Sequence, residues 1–64
     1  MIGYVARDKS GELYIHGEKP HYEDKYDGWF STPDNLNITD EFSEFDDLDY
    51  TDKPVKVEIK LEKV

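Results

Sequence analysis

The sequence predicts a small α+β domain: a mainly antiparallel β-sheet formed by an N-terminal hairpin and a C-terminal strand, with one short helix. An all-β arrangement is the alternative. Two alternating segments, Ile2–Ala6 with Glu12–His16 and then Val55–Leu61, predict the sheet, and Ile38, Phe42, Phe45 and Leu48 recur at helical spacing.

The hairpin rests on Ile2, Tyr4 and Ala6, on the turn residues Asp8-Lys9-Ser10-Gly11, and on the renewed alternation through His16. Gly11 suits a left-handed turn position. A four-residue loop sets Arg7 opposite Glu12 as a cross-strand ion pair, Ala6 opposite Leu13 and Tyr4 opposite Ile15. Ile2, Tyr4, Ala6, Leu13 and Ile15 then share one face, with Val5 and Tyr14 on the other.

From Gly17 to Gly28 the chain is polar and reads as a long loop or a poorly paired ribbon, with Tyr22 and Tyr26 in it. A short strand is expected at Gly28–Thr32, stopped by Pro33, which has no N–H for a ladder. Trp29 and Phe30 are expected in the core. A helix is expected from Asp40 to about Leu48, with Thr39 or Asp40 as its cap. Asp46, Asp47 and Asp49 oppose its dipole and weaken it. In the last strand Val55, Val57, Ile59 and Leu61 alternate with Lys56, Glu58, Lys60 and Glu62, the pattern of a strand solvated on one side.

With 64 residues and no cysteine, the chain has room for a single domain, 1–64, with neither disulfides nor thiolate zinc sites. A chain this short buries only about 60% of its unfolded surface, so its core is thin. Residues 1 to 7 are too short and polar for a signal or membrane segment, which makes a cytoplasmic location and no membrane partner the expectation.

The net charge is −8 and its distribution is uneven. Between Asp34 and Asp52 stand eight acidic residues with no Lys, Arg or His, so nineteen residues carry the whole excess. Phe42, Phe45, Leu48 and Tyr50 are interleaved with them. Such a segment either keeps the chain in solution or docks on a basic partner, since carboxylates along one face can stand in for phosphates in a nucleic-acid-binding cleft. Asp40, Glu41, Glu44, Asp46, Asp47 and Asp49 would supply the charge, and Phe45 or Tyr50 the anchor. Direct binding of DNA or RNA is disfavoured, because the net charge repels a phosphate backbone.

Other chemistry is poorly matched. Asp47, Asp49 and Thr51 alternate and Glu58 is the twelfth residue from Asp47, as in a calcium loop, but Asp52 replaces the required glycine and Pro54 precludes the exiting helix. His16 and His21 with Glu18 or Glu23 have no recognised zinc spacing, and both histidines are expected to be exposed. No nucleophile elbow or Gly-rich phosphate loop is present. No cofactor, metal or enzymatic activity is therefore expected.

Gly3-Tyr4-Val5-Ala6-Arg7-Asp8 with Gly11-Glu12-Leu13-Tyr14, and the closing Pro54-Val55-Lys56-Val57-Glu58-Ile59, resemble short uncharacterised proteins of gut bacteria and their phages. In size, acidity and lack of cysteine the chain is also similar to phage-encoded inhibitors of bacterial defence, of the anti-CRISPR or DNA-mimicking anti-restriction type. That likeness implies an inhibitor docked on the basic surface of a host protein and assigns no active-site residue. A self-associating module, with the acids only solubilising it as a homodimer, is the alternative.

Overall fold

The computed structural model describes residues 1–31 and 35–60. Among the described residues six short strands and one 3₁₀ turn make up the fold: β1 (Ile2–Arg7), β2 (Leu13–His16), β3 (His21–Glu23), β4 (Gly28–Phe30), β5 (Asn35–Asn37), the 3₁₀ turn Ser43–Phe45, and β6 (Val55–Glu58). Four strands form an antiparallel sheet in the order β5-β2-β1-β6, and β3 pairs with β4 in a separate two-stranded ribbon. The protein is mainly β. Among the described residues no helix is long and apolar enough to cross a membrane.

The hairpin forms where its alternation places it, but its register differs from the expected one by a single residue. Arg7 faces Leu13, Ala6 faces Tyr14, Val5 faces Ile15 and Tyr4 faces His16. The loop causes the shift. Gly11 N–H donates to Asp8 O at 2.9 Å while Asp8 N–H donates to Glu12 O at 2.8 Å, so the loop contains three residues, Lys9-Ser10-Gly11, with Gly11 at φ 98°. Because side chains alternate, one residue of slip exchanges their faces. Val5, Leu13 and Ile15 therefore lie on one face with Val55 and Val57 of β6, and Tyr4, Ala6, Tyr14 and His16 on the other. The expected Arg7–Glu12 pair is replaced by a hydrogen bond from Arg7 Nη1 to Gly11 O at 2.7 Å.

On the first face, buried Val5, Leu13 and Ile38 form the core, and half-buried Ile15, Phe45, Leu48 and Val57 pack around them. β6 runs antiparallel to β1, with Gly3 opposite Val57 and Val5 opposite Val55. Lys56 and Glu58 are exposed on the other side of that strand, as the alternation requires. Leu61 and Glu62 of the expected strand lie outside the described residues, as do Thr32, Pro33 and Asp34.

The second face meets the β3–β4 ribbon. His16 Nδ1 lies 2.8 Å from Ser31 Oγ, and the Asp8 carboxylate accepts the Trp29 N–H at 2.9 Å. The ribbon turns at Asp24–Asp27, where Asp27 has φ 51°, a conformation that Asp tolerates better than most residues. Its aromatic pairs are Tyr22 with Trp29, edge to face at 5.3 Å, and Tyr26 with Phe30 at 5.4 Å. Trp29 is only half-buried and Phe30 is 42% exposed, so they cover the sheet's margin and do not fill its core.

The helix expected from Asp40 to Leu48 does not form. Only Ser43–Phe45 make a 3₁₀ turn, and Phe42 before it is extended at φ −137°, ψ 114°. Two competitors explain the loss. Thr39 Oγ1, the expected cap, accepts the Leu13 N–H at 3.1 Å while Thr39 N–H donates to Asn37 Oδ1 at 3.0 Å, which ties the would-be N-terminus to β2. Further on, Arg7 takes the Phe45 and Leu48 carbonyls, fixing them in a direction set by the sheet. Ile38, Phe45 and Leu48 still reach the core from this irregular backbone, whereas Phe42 is 48% exposed.

Candidate docking surface

The segment after Ile38 crosses the first face of the sheet as a chain of turns, each anchored by a specific bond. Ile38 N–H donates to Leu13 O at 2.7 Å, continuing the β2–β5 ladder by one step. Glu41 N–H then donates to Ile38 O, Asp46 N–H to Ser43 O and Leu48 N–H to Phe45 O, at 3.0, 3.1 and 2.9 Å. The Arg7 guanidinium holds the outgoing carbonyls, with Nε donating to Leu48 O at 2.6 Å and Nη2 to Phe45 O at 2.9 Å. All three of its bonded nitrogens therefore end on backbone oxygens. A planar, permanently charged fork suits this role, which a lysine ammonium could fill at one carbonyl only.

A second device closes the segment. Asp49 Oδ1 accepts the Thr51 N–H at 2.9 Å and its hydroxyl at 3.2 Å, while Asp52 Oδ2 accepts the Asp49 N–H at 2.8 Å. These two aspartates shape the turn into Lys53-Pro54 and bring the chain to β6. They also account for the spacing that resembled a calcium loop: Asp49 and Thr51 satisfy each other. Among the described residues no three His, Asp or Glu side chains converge as metal ligands would.

Of the residues expected to bind a partner, Asp40, Glu41, Glu44, Asp46, Asp47 and Asp49 are all exposed. Among the described residues, the carboxylates of Asp40, Glu41, Glu44, Asp46 and Asp47 make no hydrogen bond to the protein. Phe45 is half-buried with its ring against the core. Tyr50 is half-buried too: its carbonyl accepts from Trp29 Nε1 at 3.4 Å, and Lys9 Nζ lies 5.9 Å from its ring centre. Phe42 is the aromatic that the segment leaves open. It lines a cleft of about 410 Å³ with Ile15, Phe45 and Val57 on its floor and Glu44 and Lys60 at its margins. Carboxylates and apolar surface thus meet at one side of the sheet.

Sequence reasoning missed Arg7 and His16. Nothing in the spacing around Arg7 marks it as the residue that organises a segment some forty positions away, because that role exists only after the chain has folded. His16, expected to be exposed, is 1% exposed, since the shifted register turns it toward Ser31. Among the described residues its Nε2 is buried without a hydrogen-bond partner. Burial lowers its pKa below the ordinary 6.5, partly opposed by the negative charge of Asp8. His21 is exposed on β3. Elsewhere, Glu12 accepts from the Tyr14 hydroxyl at 3.1 Å and from Asn37 Nδ2 at 3.0 Å, and this contact with Glu12 raises the tyrosine's pKa.

No protein-family model matches the chain, and comparison with curated proteins and with solved structures returns no match.

Proposed function

We propose that this protein is a non-enzymatic acidic binding protein that docks the segment Asp40–Tyr50 on a basic, nucleic-acid-binding surface of another protein, as the inhibitors it resembles would. The observation that supports this reading most is the division of labour within the segment. Arg7 and the Asp49–Asp52 turn hold its backbone, which leaves Asp40, Glu41, Glu44, Asp46 and Asp47 exposed on a chain of fixed course. A pre-shaped anionic surface loses less conformational entropy on binding than a disordered tail of equal charge. Phe42, 48% exposed beside Glu44 and the apolar cleft, replaces Phe45 as the aromatic anchor.

The test is capture from host lysate on the immobilised protein across a salt series, with short duplex DNA as competitor. Docking by charge weakens steeply with ionic strength, and DNA competes because it seeks the same basic surface. Glu44→Lys with Asp47→Lys, both at exposed positions, should abolish capture with the circular dichroism unchanged. Capture that survives the reversal, or that ignores salt, would defeat the reading.

A further inference from the structure

We propose that the outer edge of β6 pairs with β6 of a second copy of this chain, antiparallel, with Val57 on the two-fold axis. β6 closes the sheet order β5-β2-β1-β6, and among the described residues β1 is its one strand neighbour. Its backbone parity follows from the ladder. Ile59 N–H donates to Met1 O at 2.6 Å, and the register continues through Gly3–Val57 and Val5–Val55. In an antiparallel ladder successive residues point their N–H and C=O groups alternately to one neighbour and the other. Val55, Val57 and Ile59 therefore bond to β1, while Lys56 and Glu58 direct theirs outward.

Those two outward residues are complementary to themselves under a two-fold rotation. With Val57 on the axis, Lys56 of one copy exchanges both backbone hydrogen bonds with Glu58 of the other, and Glu58 with Lys56. Their side chains meet as opposite charges on the exposed face of the strand. On the opposite face Val57 meets Val57, and Val55, 37% exposed, meets Ile59 of the second copy. A slip of two residues in either direction sets Lys56 against Lys56 or Glu58 against Glu58, and parallel pairing brings like charges side by side. The same charges that deter an arbitrary strand from adding to this edge thus select one partner and one orientation. The result is one continuous eight-stranded sheet, and it does not depend on the acidic segment having a partner.

Sedimentation equilibrium over a concentration series tests the proposal directly. The unaltered chain should show a monomer–dimer equilibrium. Lys56→Glu and Glu58→Lys should each weaken dimerisation at least tenfold, since one substitution turns two attractive pairs into two repulsive ones, and the double reversal should restore it. Both positions are exposed, and unchanged circular dichroism confirms folding. A chain that stays monomeric at all concentrations, or a double reversal no better than the single ones, would overturn the proposal. Register is read by crosslinking, because the chain has no cysteine of its own. A non-hydrogen-bonded antiparallel pair has Cα atoms about 4.5 Å apart, within disulfide range. Val57→Cys should thus give a disulfide-linked dimer on mild oxidation; crosslinking by Ile59→Cys in its place would refute the Val57 axis.

Discussion

The carboxylate of Asp8 accepts the backbone N–H of Trp29 at 2.9 Å, and this bond fastens the ribbon to the sheet. Asp8 sits where the first hairpin turns, with its own N–H and C=O committed to Glu12 and Gly11, so its side chain has a fixed origin. A second strut runs beside it, from Lys9 N–H to Asp27 O at 3.2 Å. Gly28 precedes Trp29 because a Cβ there would stand 3.2 Å from the Asp8 carboxyl atoms.

Removing that acceptor should loosen the ribbon. Asp8→Ala leaves the Trp29 N–H without its partner and should cost roughly 1 to 2 kcal/mol in urea unfolding. Tryptophan emission should shift to the red as the indole gains water. Asp8→Asn keeps an acceptor oxygen and should cost less. Gly28→Ala should be destabilising in the native chain and milder in the Asp8→Ala background, because the atoms its methyl would meet are gone; a double-mutant cycle reads this coupling.

Arg7 carries a different prediction, because it joins the sheet to the acidic segment. Arg7→Lys preserves the charge but offers one ammonium to carbonyls held by three separate nitrogens, and should cost about 2 kcal/mol. The loss should be local. Amide exchange should accelerate at Leu48, whose N–H bonds the Phe45 carbonyl that Arg7 also holds, and at Asp46, whose turn from Ser43 contains Phe45, well before it does at Val5 in the core strand. Equal acceleration at all three would show that Arg7 supports the fold as a whole.

Three of the four strands of the main sheet were legible in the chain because alternation is a local property: β1, β2 and β6 stand where the alternating segments Ile2–Ala6, Glu12–His16 and Val55–Leu61 place them, whereas the three-residue β5 was not among the expected strands. The faces were not legible. They depend on whether the first loop holds three residues or four, and Gly11 fits either, so its identity could not distinguish Ala6 from Val5 as the core residue. The segment after Ile38 was misread for another reason. Its helical spacing is real, and Ile38, Phe45 and Leu48 do point inward, but the Thr39 cap and the Phe45 and Leu48 carbonyls have partners in β1 and β2 that no local pattern reveals. The exposure of the acidic residues could be read because it needs no tertiary information, while the choice between Phe42 and Phe45 as the open aromatic did need it.

The three-residue loop makes its own prediction. Among the described residues, its two chain neighbours aside, Gly11 at φ 98° has no atom within 4 Å of the position a Cβ would take, so the cost of a side chain there is conformational and not steric crowding. Gly11→Ala should cost about 1 kcal/mol and Gly11→Val more, with Gly11→Asn the mildest, since Asn enters the left-handed region most readily. Thermal unfolding of the three variants gives the order directly. If Ala proves as mild as Asn, the loop adopts another conformation and the register of the hairpin is in question.

His16 gives the pH dependence. Burial lowers its folded-state pKa below the 6.5 of the unfolded chain, with Asp8 acting in the opposite sense and not reversing the shift. As pH falls through about 6.5 the unfolded state binds a proton first, so stability is lost on acidification, at a slope of at most about 1.4 kcal/mol per pH unit, until the folded state also protonates. Above 6.5 the imidazole is neutral in both states and contributes no slope. Neutralising part of a −8 chain acts in the opposite direction, so the comparison belongs between pH 7.5 and 5.5. His16→Asn provides the reference, because its amide can occupy the place of Nδ1 beside Ser31 and carries no titratable proton. Urea midpoints should fall between pH 7.5 and 5.5 in the native chain and stay nearly level in the variant; parallel profiles would mean that His16 is not the group that senses pH.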